Sequence, residues 1–75
     1  MTDLLEDELA RVQRRLAALD KIEAKLKEIR ELAVYAAGRS LSDEERAQVQ
    51  EWIQCLESEV EAIRREEPWL EETPH

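Results

Sequence analysis

The chain has 75 residues and a formal net charge of −8, and 43% of its residues are hydrophobic and 40% charged. This length allows one small domain, and the acidic balance disfavours nucleic acid or an anionic membrane as a partner, because both attract basic surfaces. The single cysteine excludes an internal disulfide bond. No early apolar run is typical of a signal peptide, and no stretch approaches the ~20 apolar residues that span a bilayer, so we expect a cytoplasmic protein.

A first helix is predicted over residues 3–37, because no proline or glycine interrupts this stretch. Its apolar positions follow one another at steps of three and four residues: Leu5, Leu9, Val12, Leu16, Leu19, Ile22, Leu26, Ile29, Leu32 and Ala36. A mean step of about 3.5 residues is typical of one left-handed coiled-coil seam. Leu16, Leu19 and Ile22 follow at two consecutive steps of three, which predicts that the seam is locally overwound.

Residues 38–42 are predicted to form a turn. Gly38 is the only glycine, and we expect it to close the first helix with a positive φ, a conformation that costs glycine little. Ser42 and Glu45 have the spacing of a capping box, in which each side chain binds the backbone N–H of the other residue. A connection this short makes the two flanking helices antiparallel neighbours.

A second helix is predicted over residues 43–67, and Pro68 ends it because the residue before a proline avoids helical angles. Its apolar positions also alternate between steps of four and three: Val49, Ile53, Leu56, Val60 and Ile63. Trp52 lies beside this seam and is expected to point away from the first helix. The second helix is therefore also predicted to present one apolar stripe.

The C-terminal tail comprises residues 68–75. Within it, Trp69 and Leu70 are expected to fold back over the first helix near Leu9 and Val12. The reason is that a Trp–Leu pair beyond a helix end otherwise leaves apolar surface in water.

These elements predict an all-α fold, an antiparallel two-helix hairpin with coiled-coil-like packing, in one domain of residues 1–75. The expected register pairs Leu26 with Ile53, Leu19 with Val60, Leu16 with Ile63, Leu9 with Leu70, Ile22 with Leu56 and Ile29 with Val49. A lone hairpin has one thin seam and no second layer, so we expect two hairpins to dimerise into a four-helix bundle.

The middle of the chain resembles a known family. The matching residues are Arg30-Glu31-Leu32-Ala33-Val34, Ala36-Ala37-Gly38, Leu41-Ser42-Asp43-Glu44, Arg46, Gln50, Leu56, Glu59 and Ile63. Residues 29–63 thus resemble the N-terminal helical region of bacterial flagellins. The resemblance implies a helix, a turn and a second helix, and a structural role in helix packing like that of the rod-like domain that packs flagellin subunits into the filament. Trp52 and Cys55 lie where flagellins usually carry polar residues.

Residues with catalytic or metal-binding chemistry are sparse. His75 is the only histidine and the last residue, which argues against a catalytic triad or a histidine metal site. Cys55 has no basic neighbour in sequence, so we interpret it as an unreactive helical cysteine. Glu57 and Glu61 are typical of a solvated helix face, because the Glu-x-x-His motif of a di-metal bundle is missing. We therefore expect no enzyme, and no catalytic, cofactor-binding or metal-binding residue.

The leading functional hypothesis is a small acidic, non-enzymatic structural or protein-interaction module that acts through helical packing and self-association. A homodimer is the expected assembly, and another protein is a further candidate partner. Large apolar side chains beside the seams anchor many interfaces. The expected interface residues are Trp52, Leu32, Val34, Tyr35, Trp69 and Leu70.

The charge distribution supports one alternative. Residues 1–37 carry seven basic and eight acidic side chains, whereas residues 38–75 carry four and eleven, which gives net charges of −1 and −7. The acidic second half is compatible with an adaptor or inhibitor, including a nucleic-acid mimic, that binds a basic protein surface.

Overall fold

Two helices and a short 3₁₀ helix make up the part of the chain that the computed structural model describes, residues 2–71. Helix α1 spans Thr2–Ala37, helix α2 spans Asp43–Glu66, and the 3₁₀ helix spans Pro68–Glu71. The helices pack side by side in an elongated shape of 61 × 22 × 16 Å. The expected all-α antiparallel hairpin is confirmed. His75 and the rest of the tail after Glu71 lie outside the described residues.

The capping box at the start of α2 is confirmed. The Ser42 hydroxyl accepts a hydrogen bond from the Glu45 N–H at 3.1 Å, and the Ser42 N–H donates to the Glu45 carboxylate at 3.2 Å. Ser42 is extended, with φ −67° and ψ 163°, so the chain arrives from the turn and enters the helix at this residue. Two N–H groups that a helix start leaves without partners are thereby satisfied.

The expected conformation of Gly38 is wrong. Its φ is not positive, and no other described residue has a positive φ. The Gly38 N–H donates to the Val34 carbonyl at 3.0 Å, as in a continuing helix. The reversal is instead spread over residues 38–42 and completed by extended Ser42, so no single residue has to adopt the left-handed conformation.

The core is a narrow stripe between the helices. Ala18, Leu56 and Val60 are buried, and Val49, Ile53 and Ile63 of α2 are half-buried. On α1 the stripe that faces α2 has steps of four, three, four, three and four residues: Ala18, Ile22, Lys25, Ile29, Leu32 and Ala36. The Lys25 ammonium confirms the facing side, because it lies 2.7 Å from the Glu59 carboxylate of α2.

The expectation of one continuous seam along α1 is wrong. Leu16, Leu19 and Leu26 are 55%, 41% and 47% exposed, so they are not buried against α2 as expected. Leu19 still lines one shallow groove with its expected partner Val60. The consecutive steps of three are the physical reason. Each such step rotates the side chain by about −60° relative to a full turn, so two of them carry the pattern onto a neighbouring face of the helix. α1 therefore carries two apolar stripes.

The tail folds back on α1, but further from the N-terminus than expected. Trp69 lies beside Arg15, with the guanidinium carbon 5.2 Å from the ring centroid. Leu70 lines a shallow groove with Leu19 and Ile22, and it is not placed at Leu9 and Val12.

Chain length explains this position. The end of α2, at Glu66, lies level with Ala18 of α1. Four residues of 3₁₀ helix advance the chain by about 8 Å at most, whereas Leu9 lies about 13 Å further along α1. The Leu70 N–H also donates back to the Glu67 carbonyl at 3.0 Å, which keeps the tail close to the end of α2.

Candidate protein-interaction surface

A row of exposed aliphatic side chains follows the first half of α1. We call this row the leucine stripe, and its members are Leu5, Leu9, Val12, Leu16 and Leu19. They are 41–69% exposed and follow at steps of four, three, four and three residues. The leucine stripe lies about a third of a turn around α1 from the stripe that faces α2. Contiguous exposed apolar surface of this kind is typical of a site that binds another protein.

The leucine stripe continues towards the turn as an open groove. Its lining has an apolar part, Leu19, Ile22 and Leu26, and a charged part, Glu23, Lys27 and Arg30. Glu23 and Arg30 follow Leu16 at seven-residue steps. They therefore occupy the positions where the pattern of the leucine stripe calls for further apolar residues, and the strongly apolar part of the surface ends at Leu19.

Charged and polar side chains flank the leucine stripe. Glu8 and Arg15 lie on one flank, while Glu6 and Gln13 lie on the other, and all four are exposed. The Trp69 ring packs against the Arg15 guanidinium, so the tail holds this cation at the edge of the stripe. Trp69 itself donates a hydrogen bond from its indole nitrogen to the Glu67 carboxylate.

The six interface residues proposed from the sequence fall into groups at opposite ends of the hairpin. Trp69 and Leu70, both half-buried, lie beside the middle of α1. The other four lie towards the turn: Leu32, half-buried on the side facing α2, and Val34, Tyr35 and Trp52, exposed at 67%, 43% and 54%. Tyr35 stacks under the Arg39 guanidinium, 4.4 Å from its ring centroid. Their role in an interface stays a prediction.

The sequence interpretation missed the leucine stripe because it assigned these residues to the seam within the hairpin. The signal that separates the two stripes was present in the steps of three from Leu16 to Leu19 and Ile22. These steps mark the point where the row of apolar side chains moves from the exposed stripe to the stripe that faces α2.

Other candidate chemistry is limited in the described part of the chain. Cys55 is an exposed free thiol. Within residues 2–71, no group of three or more histidine, cysteine or acidic side chains is arranged to hold a metal ion. Over the same residues, neither helix combines the length and apolar character that crossing a membrane requires. The apolar surface of α1 is thus the feature with the clearest functional chemistry.

Comparison with known proteins identifies one family. The sequence model of the bacterial flagellin N-terminal helical region matches residues 1–67. The match includes all of α1 and α2 and is wider than the stretch of residues 29–63 in which the resemblance was seen. The leucine stripe lies within it. No curated protein matches the chain, and no solved structure matches it.

Proposed function

We propose, because this chain belongs to the bacterial flagellin N-terminal helical region family, that it is a non-enzymatic structural module that associates with copies of itself through helical packing. The family is structural rather than enzymatic, which supports a role without catalysis. The proposal includes the cytoplasmic location expected from the sequence, which a localisation experiment tests.

The exposed leucine stripe is the observation that carries this proposal. The leucine side chains at its centre, Leu9 and Leu16, are 57% and 55% exposed, although they have the spacing of a helix–helix seam. α2 has 24 residues against 36 in α1 and ends near Ala18. Among the described residues, no α-helix therefore lies beside the first half of α1, where Trp69 contacts Arg15. Covering this surface with another helix removes apolar area from water, which is the main driving force of association.

Sedimentation equilibrium on the whole chain across a dilution series tests self-association. We expect a reversible equilibrium between monomer and dimer, with more dimer at higher concentration. A chain that remains a cooperatively folded monomer up to high micromolar concentration contradicts the proposal.

Two surfaces are available for self-association. The four-helix bundle expected from the sequence uses the α2 face around Trp52, whose side chain is 54% exposed. The other surface is the leucine stripe on α1. Trp52→Ala weakens the dimer if the bundle forms through the first surface, and leaves it intact if the second is used.

The acidic adaptor is the second candidate function. Glu51, Glu57 and Glu61 are exposed on α2, in the half of the chain with a net charge of −7, which favours a basic partner. Titration of the chain with a lysine-rich peptide at two salt concentrations tests this function. An adaptor of this kind loses affinity steeply as salt rises, because salt screens exposed charges. Absence of binding at low salt contradicts it.

A further inference from the structure

We propose that two copies of this chain pair in antiparallel orientation through their leucine stripes, so that Leu9 of each copy lies beside Val12 of the other copy. Leu5 then lies beside Leu16 of the other copy. This pairing rests on the self-association proposed above and specifies its surface, direction and register.

The spacing of the leucine stripe defines what can cover it. Alternating steps of four and three are those of the seam positions in a coiled coil, so the matching partner is a helix with an apolar stripe of the same period. α2 has such a stripe, but its members face α1 and are buried or half-buried. The leucine stripe of a second copy has the required period and length, and it is equally exposed.

Charge disfavours a parallel pairing. In a parallel dimer, identical seam residues of the two copies lie opposite each other. The seam positions that follow Leu16 at seven-residue steps are Glu23 and Arg30. A parallel dimer therefore sets Glu23 against Glu23 and Arg30 against Arg30 in the seam, and both contacts are repulsive.

Two antiparallel registers with longer overlap are also unfavourable. Pairing Leu9 with Leu19 brings the Arg15 side chains of both copies together on one flank and sets Glu6 near Asp20 on the other. Both contacts oppose like charges.

The second of these registers pairs Leu9 with Leu26. It places the Glu23 carboxylate against Val12 in the seam. A carboxylate held in an apolar seam loses hydration without gaining a partner.

The shorter register, with Leu5 beside Leu16, has complementary flanks. Glu8 directly precedes the seam residue Leu9, and Arg15 directly precedes the seam residue Leu16. In an antiparallel pair, residues at this position in the two copies lie on the same flank, so Glu8 of each copy lies near Arg15 of the other. This gives two ion pairs per dimer. On the opposite flank Glu6 lies near Gln13, a contact without charge repulsion. Trp69 already holds the Arg15 guanidinium at the edge of the stripe.

The rest of the hairpin leaves room for this pairing. The overlap runs from Thr2 of one copy to Leu19 of the other. α2 ends level with Ala18, and Leu70 packs near Leu19 and Ile22, so both lie at the limit of the overlap. Trp69 reaches further, to Arg15, and its contact there is on the flank of the leucine stripe. Each copy contributes a free helical arm, and the two hairpin bodies point in opposite directions.

Sedimentation equilibrium on stripe variants of the whole chain tests the surface. Leu9→Gln/Leu16→Gln should raise the dimer dissociation constant by roughly a hundredfold or more, because four apolar side chains per dimer become polar. Both residues are exposed within one copy, so circular dichroism should show that the hairpin remains helical. Trp52→Ala is the matched control, since it removes an exposed apolar side chain elsewhere, and it should leave the dissociation constant unchanged.

Charge reversal tests direction and register. Glu8→Arg and Arg15→Glu should each raise the dissociation constant by about tenfold, because each replaces two attractive contacts with repulsive ones. The double variant Glu8→Arg/Arg15→Glu should restore it to near the original value. The single Arg15→Glu variant and the double variant both lose the contact with Trp69. The difference between their dissociation constants therefore reports the ion pair between copies.

The outcomes separate this pairing from the proposed function. A dimer that survives Leu9→Gln/Leu16→Gln but dissociates with Trp52→Ala overturns the pairing and leaves self-association intact. Failure of the double charge variant to recover affinity overturns the antiparallel register. A chain that is monomeric before any substitution overturns both the pairing and the proposed function.

Discussion

At the scale of single residues, the two hydrogen bonds between Ser42 and Glu45 make the stability of the start of α2 depend on pH. Hydrogen bonding by the Ser42 side chain, and then by its backbone N–H, lowers the pKa of the Glu45 carboxyl. A carboxyl with a lower pKa in the folded chain binds fewer protons there than in the unfolded chain. The contribution of this pair to stability is therefore complete above the ordinary glutamate pKa, and it is lost as the pH falls through the lowered value.

We expect Glu45→Gln to reduce the loss of stability on acidification. Urea unfolding of the original chain and the variant at a series of pH values, from neutral to below the ordinary glutamate range, measures this effect. Glu44→Gln is the matched control, because it removes a neighbouring carboxylate of the same turn that is not part of the capping pair. If both variants change the acid dependence equally, the general acidity of the helix start is responsible and the capping bond is not.

Gly38→Ala should stabilise the hairpin by about 0.4–1 kcal/mol. The backbone here does not need the positive φ that disfavours alanine, and an added Cβ lies 3.4 Å from the Val34 carbonyl oxygen, an ordinary contact. Replacing glycine then mainly restricts the unfolded chain. Chemical denaturation measures the difference. A loss of stability of about 1 kcal/mol or more would show that the turn in solution requires a left-handed residue.

At the scale of the elements, local signals in the sequence predict the fold well and the packing only in part. The helix-forming run of α1, the capping pair at Ser42 and the helix end before Pro68 each depend on neighbouring residues, so each is visible in the sequence. Which face of α1 meets α2 depends on contacts between distant residues. The periodic pattern allowed either stripe to face α2. The burial of Ala18 rather than Leu16 or Leu19 results from how the two helices pack together.

The same limit applies to the tail, and it leads to a prediction. Truncation after Glu67 should lower the melting temperature, because it removes the contact of Trp69 with Arg15 and exposes the groove that Leu70 lines. Thermal unfolding followed by circular dichroism measures the change. Truncation after Glu71 is the control, since it keeps both side chains. An unchanged melting curve for the shorter chain would show that the tail contributes nothing to the hairpin.

At the scale of the whole molecule, α2 covers only one half of the longer helix α1. From Ala18 to Ala36, α1 has a stripe that packs on α2, whereas the arm before Ala18 has no described α-helix beside it and is contacted by Trp69 at Arg15. A helical segment of this length has marginal stability in water without tertiary contacts. The arm therefore depends on association with another helix in a way that the rest of the hairpin does not.

Hydrogen exchange should report this dependence directly. In dilute solution we expect the backbone amides of residues 5–17 to exchange faster than those of residues 22–36, because the arm opens without disturbing the core. Raising the concentration of the chain should slow exchange in the arm alone, since pairing of the leucine stripes stabilises only that segment. Leu9→Gln/Leu16→Gln should remove this concentration dependence. Slowing that is spread evenly over both helices would instead mean that association stabilises the hairpin as one unit, and that its surface lies outside the arm.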